Sequence, residues 1–196
     1  MKKITILIVA FVLIINNSLF AKECKTIKTI FFDLGDTLIE SNGQGQFVLR
    51  SDASQLIELL KLQDFQLGII TNVSPNWDLQ DLESILVDPS FLDDFEVVIL
   101  SSLAPASKPD PAIFNYAYSQ LINPAPITQT AFVTETLSHI GNSIANPTLG
   151  ARATGMIGIH LSDLPPSSYT DYTIPSNNLL EIDTIINSLI FCNGFE

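Results

Sequence analysis

Short apolar runs alternate along the chain with segments in which apolar residues recur at helical spacing. That alternation is the pattern of βαβ units around a parallel sheet. Lys28 to Phe32 is the first predicted strand, closed abruptly by Asp33. Polar Ser41 to Gln46 reads as a turn or hairpin. Ser51 or Asp52 can cap a helix with apolar positions Leu56, Ile57, Leu59 and Leu60. Phe65 to Ile70 forms a second strand that runs into Thr71-Asn72. Ser74-Pro75-Asn76 is a turn, Asp78 to Leu86 a helix, and Phe95 to Leu100 a third strand. Asp110 is the expected N-cap, and Pro111 the first residue, of a helix reaching Leu121. Ala131 to Val133 is a fourth strand, followed by a polar loop from Thr134 to Asn146 and a short helix from Pro147 to Thr154. Met156 to Leu161 and Tyr172 to Ile174 complete six strands, and Leu179 to Leu189 is the last helix. The expected class is α/β.

The first 21 residues have a different character. Lys2 and Lys3 precede an apolar run, Ile4 to Ile15, interrupted only by Thr5, then polar Asn16 to Ser18 and small Ala21. This is the layout of a secretory signal peptide. The apolar run is shorter than the roughly 20 residues a membrane-spanning helix needs. The expectation is therefore a signal peptide over residues 1–21, a single domain over 22–196, export to the periplasm or medium, and no stable membrane anchor after cleavage. Cleavage removes two lysines and no acid, taking the net charge of −12 two units further down. Such acidity disfavours nucleic acid, whose binding rests on cationic contacts to phosphates, and an anionic membrane surface. The two cysteines, Cys24 and Cys192, would form a disulfide joining the two ends of an exported domain, or remain as free thiols in the tails.

Residues capable of chemistry collect at the strand ends. Asp33 follows the first strand, Thr71 ends the second, Lys108 follows the third and Glu135 the fourth. Open α/β sheets place ligands beyond the carboxyl ends of their strands. A carboxylate there can attack phosphorus to form an acyl phosphate. It needs electrophilic help on the phosphoryl oxygens, which a hydroxyl, a cation and a metal supply. Thr71 and Lys108 provide the first two, and Asp33, Glu135 and a backbone carbonyl could hold Mg²⁺, which prefers oxygen ligands.

With these residues in order, the sequence resembles the haloacid-dehalogenase-like (HAD) hydrolases. Phe32-Asp33-Leu34-Gly35-Asp36-Thr37-Leu38 is similar to their first motif, and Ile69-Ile70-Thr71-Asn72 to the second. Lys108-Pro109-Asp110-Pro111-Ala112-Ile113-Phe114 is similar to the third, and Gly150 to Met156 to the segment after the fourth. The resemblance covers residues 28 to 190. It implies a three-layer Rossmann-like parallel sheet with Asp33's strand in the middle. It also implies Asp33 as nucleophile, Thr71, Asn72 and Lys108 as phosphoryl-binding groups, and Mg²⁺ held by Asp33, the Gly35 carbonyl and Glu135.

Two positions depart from the family pattern. The second acid of the first motif, usually the general acid/base, is replaced by Gly35, and Asp36 stands one residue late. In the fourth motif Thr134-Glu135 stands where Gly-Asp is usual, with no second acid a few residues on. Asp36 is thus a displaced acid or a loop residue. The stretches Leu38–Leu67 and Asn72–Ser107 leave no room for a cap domain. An uncapped site suits a large phosphorylated substrate and argues against the dehalogenase branch. The expected function is a Mg²⁺-dependent phosphomonoesterase; the alternative is a HAD-fold binding protein that has lost turnover.

Overall fold

A computed structural model describes residues 27–134, 138–140, 143–145, 147–163 and 170–190. The expected signal peptide, Cys24, Glu135 and Cys192 lie outside the described residues.

Six parallel strands form the central sheet: β1 (Thr29–Phe32), β4 (Gln66–Thr71), β5 (Val97–Leu100), β6 (Thr130–Thr134), β9 (Ile157–Leu161) and β10 (Tyr172–Ile174). Their order is β10-β9-β6-β1-β4-β5, so β1 lies inside the sheet between β6 and β4. Two antiparallel hairpins stand apart from it: β2 (Ile39–Ser41) with β3 (Phe47–Leu49), and β7 (Ser138–Ile140) with β8 (Ser143–Ala145). The helices are α1 (Ser51–Leu62), α2 (Leu79–Ile85), α3 (Pro111–Ser119), α4 (Pro147–Ala153) and α5 (Glu181–Ile190).

Strand side chains alternate between faces, and the core divides accordingly. Ile30, Phe32, Leu67, Ile69, Ala131 and Val133 pack on one face with Leu56, Leu60, Ile182 and Ile186 of α1 and α5. Phe31, Ile70 and Phe132 pack on the other with Ile113, Phe114 and Ala151 of α3 and α4. Both faces being covered explains why β1 reads as a continuous apolar run rather than an alternating one. Gly68 sits opposite Phe31 in the β1–β4 register. A Cβ at Gly68 would come within 2.5 Å of the Phe31 ring, so glycine admits that phenylalanine.

The three-layer α/β architecture matches the sequence expectation, with local differences. The N-cap of α1 is Arg50, not Ser51 or Asp52, and no side chain caps it. Asp52 instead accepts from the Arg50 guanidinium and the Leu179 N–H. Leu59 is 40% exposed, and Ala53 takes its place on the buried face. The segment expected as a polar loop after the fourth strand contains the β7–β8 hairpin. Helix α3 stops at Ser119, two residues before Leu121. Asp110 caps α3 as expected, accepting from Ala112 N–H at 2.8 Å. Asp78 and Asp81 close a reciprocal capping box on α2. Between β1 and β4 the chain holds only a hairpin and α1, and between β4 and β5 only α2 and the 3-10 turn Pro89–Asp94. Neither connection builds a cap domain.

Candidate active site

Strand β1 delivers Asp33 to the carboxyl edge of the sheet. Its N–H donates to the Val133 carbonyl at 2.8 Å, continuing the β1–β6 ladder by one residue. Its side chain is buried. Both carboxylate oxygens are engaged. Oδ1 accepts from the Leu34 N–H at 2.7 Å and lies 2.5 Å from the Lys108 ammonium. Oδ2 accepts from the Thr134 hydroxyl at 3.0 Å. A buried carboxylate needs such partners, since an unpaired charge costs several kcal/mol at this depth.

Lys108 reaches this position from the loop after β5. Its ammonium also donates to the Ile70 carbonyl at 2.9 Å and lies 5.4 Å from the Phe132 ring centroid. Burial pushes its pKa below the ordinary lysine value, with the Asp33 carboxylate pulling in the opposite direction. Two features hold the loop. The Asn72 amide makes paired bonds with the Lys108 backbone: Nδ2 donates to the Lys108 carbonyl at 3.0 Å, and the Lys108 N–H donates to Oδ1 at 2.9 Å. Helix α4 closes from the other side. A Cβ at Gly150 would lie 2.0 Å from the Pro109 carbonyl oxygen and 2.6 Å from the Phe114 ring, so only glycine permits this approach.

Thr71, the last residue of β4, is buried at the same edge, on the strand next to β1. The structure therefore brings Asp33, Thr71, Asn72 and Lys108 to one edge of the sheet. Asp36 differs. It is exposed, has a left-handed backbone (φ 58°), and its carbonyl accepts from Arg50 Nη1 at 3.2 Å. It is not among the groups that bond Asp33. Gly35 is half-buried, and a Cβ there would meet nothing within 4 Å. Space is thus not what requires glycine at this position.

Thr134 entered the sequence reading only as a departure from the fourth motif and the start of a loop, yet it ends β6 and is one of the groups that hold Asp33. The signal was its place at the end of the strand beside β1. Trp77 is half-buried, and its carbonyl accepts from the Ser102 hydroxyl at 2.5 Å.

Among the described residues no group of three His, Cys, Asp or Glu gathers around a metal position. The Asp33 carboxylate and the Gly35 main-chain carbonyl are hard oxygen donors. They suit Mg²⁺, which commonly retains waters and takes only one or two carboxylates from a protein.

No protein-family model matches the sequence, and no curated protein matches it. Solved structures do resemble it. CbbY from Rhodobacter sphaeroides, in complex with phosphate, is 15% identical over 80% of this chain and 99% of its own, with a TM-score of 0.59. The L-2-haloacid dehalogenase RSc1362 is 11% identical over 83% and 99%, with a TM-score of 0.63. YfnB from Bacillus subtilis, a HAD hydrolase solved with magnesium, is 22% identical over 71% of this chain and 56% of its own, with a TM-score of 0.55.

Proposed function

The chain has the fold of the HAD-superfamily hydrolases, and from that premise we propose that it is an exported phosphomonoesterase using Asp33 as nucleophile. The observation that carries this reading is the buried Asp33–Lys108 pair at the carboxyl end of a central strand. An Asp33 oxygen attacks phosphorus, the ester P–O bond breaks, and an aspartyl phosphate forms. The leaving oxygen takes a proton from solvent or a nearby acid. Water then attacks phosphorus, the acyl-phosphate bond breaks, and Asp33 returns as carboxylate with release of phosphate. Lys108 offsets charge on the phosphoryl oxygens, Thr71 stands at the same edge, Asn72 holds the Lys108 backbone, and Thr134 and the Leu34 N–H orient the nucleophile. Asp33, the Gly35 carbonyl and Glu135 would hold Mg²⁺, which supplies further charge neutralisation when bound.

Phosphate in CbbY and magnesium in YfnB support this choice over dehalogenation, as does the absence of a cap domain in the described connections. An open site also favours a large phosphorylated substrate. The mature protein should hydrolyse p-nitrophenyl phosphate with Mg²⁺, and Asp33→Asn should abolish that activity. Equal turnover in the Asn variant would sink the assignment. Gly35 favours a second reading, a binding protein that retains the fold without turnover. A broad phosphate-ester panel decides between them, because Asp33-dependent hydrolysis of any member excludes the second.

A further inference from the structure

Arg50 is not one of the groups expected to touch substrate, yet its side chain joins three separate parts of the molecule. Nε and Nη2 form a paired contact with the Asp52 carboxylate, at 3.1 and 3.0 Å. Nη2 also donates to the Ser176 carbonyl at 2.7 Å, just past β10. Nη1 donates to the Asp36 carbonyl, in the turn after the nucleophile. The Arg50 N–H adds a bond to the Leu38 carbonyl at 2.9 Å. The guanidinium side chain is only 14% exposed.

The turn it grips needs support. Asp36 is left-handed, a conformation that costs a non-glycine residue free energy and persists where surroundings enforce it. The turn closes on itself through Leu38 and Ile39 N–H groups, both donating to the Leu34 carbonyl, at 2.9 and 3.1 Å. The φ and ψ of Asp36 relate its carbonyl to the Gly35 carbonyl of the preceding peptide, so anchoring the first, with Asp36 held at φ 58°, constrains the direction of the second. A planar fork with several donors can serve three acceptors at once; an ammonium on a flexible stem cannot hold that arrangement.

We propose that Arg50 is a positioning residue, which through the Asp36 carbonyl aims the Gly35 carbonyl at the cation site beside Asp33. The metal-directed half rests on the proposed function; the bracing of the turn does not. The test uses the full mature chain with Arg50→Lys, Arg50→Ala and, as a packing control in the α5 core, Ile186→Val. Hydrogen exchange at Leu38 and Ile39 should quicken about tenfold or more in both Arg50 variants, in line with loss of a charged hydrogen bond. Mg²⁺ titration by calorimetry should show weaker binding by a similar factor, and Ile186→Val should leave both unchanged. Exchange and Mg²⁺ affinity at wild-type levels in Arg50→Lys would overturn the proposal, and so would equal changes in Ile186→Val. If the wild type takes up no Mg²⁺, the metal-directed half fails together with the metal part of the proposed function. Faster exchange in that case still establishes the brace.

Discussion

Replacing Lys108 with Met removes the ammonium and keeps most of the side-chain volume. Asp33 is then left buried with the Leu34 N–H and the Thr134 hydroxyl but no cation. Removing one partner of a buried pair costs about 3–5 kcal/mol. The two surviving hydrogen bonds place this case near the lower end, about 3 kcal/mol. For a chain of this size that lowers Tm by about 6–12 °C. Adding Asp33→Asn to the same protein removes the stranded charge and should recover most of the loss, giving a large coupling in a double-mutant cycle. Urea unfolding followed through Trp77, the single tryptophan, measures each quantity. A single variant within about 1 kcal/mol of wild type, or a double variant no better than the single, would refute the reasoning.

Other outcomes follow from the same geometry. Gly150→Ala gains helix propensity of about 1 kcal/mol, but its Cβ would collide with the Pro109 carbonyl and Phe114. Overpacking of about 1–3 kcal/mol should win, lowering Tm and reducing turnover through displacement of Lys108. The lowered pKa of Lys108 places the alkaline limb of kcat/KM below pH 10.4, the ordinary lysine value, with activity falling as Lys108 loses its proton. Between that limb and pH 10.4 stability should rise with pH, since the unfolded chain holds a proton the native state lacks. A pH–rate profile with its limb at or above the ordinary value contradicts this. Gly35→Asp has open space for its side chain and should raise turnover of phosphate esters with poor leaving groups by about tenfold or more through general-acid help. Steady-state rates on an alkyl phosphate check it.

The sheet was legible because its strands are covered on both faces, and a buried parallel strand such as Thr29–Phe32 writes itself as an apolar run. The ends of elements were less so. Arg50 rather than Ser51 or Asp52 occupies the N-cap position of α1, and the Asp52 carboxylate goes to the guanidinium and to Leu179, more than 120 residues away. No local pattern encodes such a partner. The Asp52 carboxyl shows the same competition: burial pushes it up, but Arg50 and the Leu179 N–H bring it below its usual value. The site divides similarly. Asp33 and Thr71 stand at strand ends and Lys108 in the loop after β5, and their places along the chain were readable from order alone. Thr134 was not, since its hydroxyl becomes meaningful only when β6 lies beside β1. Asn72 was expected at phosphate; what the sequence did not show is that its amide bonds the Lys108 backbone, a contact spanning 36 residues. Asp36 shares its sequence neighbourhood with Asp33, yet it has a left-handed backbone and stands exposed.

The central claim is that Asp33 accepts a phosphoryl group. Acid quenching during steady-state hydrolysis of p-nitrophenyl phosphate, followed by peptide mass spectrometry, tests it directly. A phosphoryl adduct on the peptide containing Asp33, absent in Asp33→Asn, is the predicted result. Turnover with no adduct on that peptide, or an adduct that persists in Asp33→Asn, would contradict it.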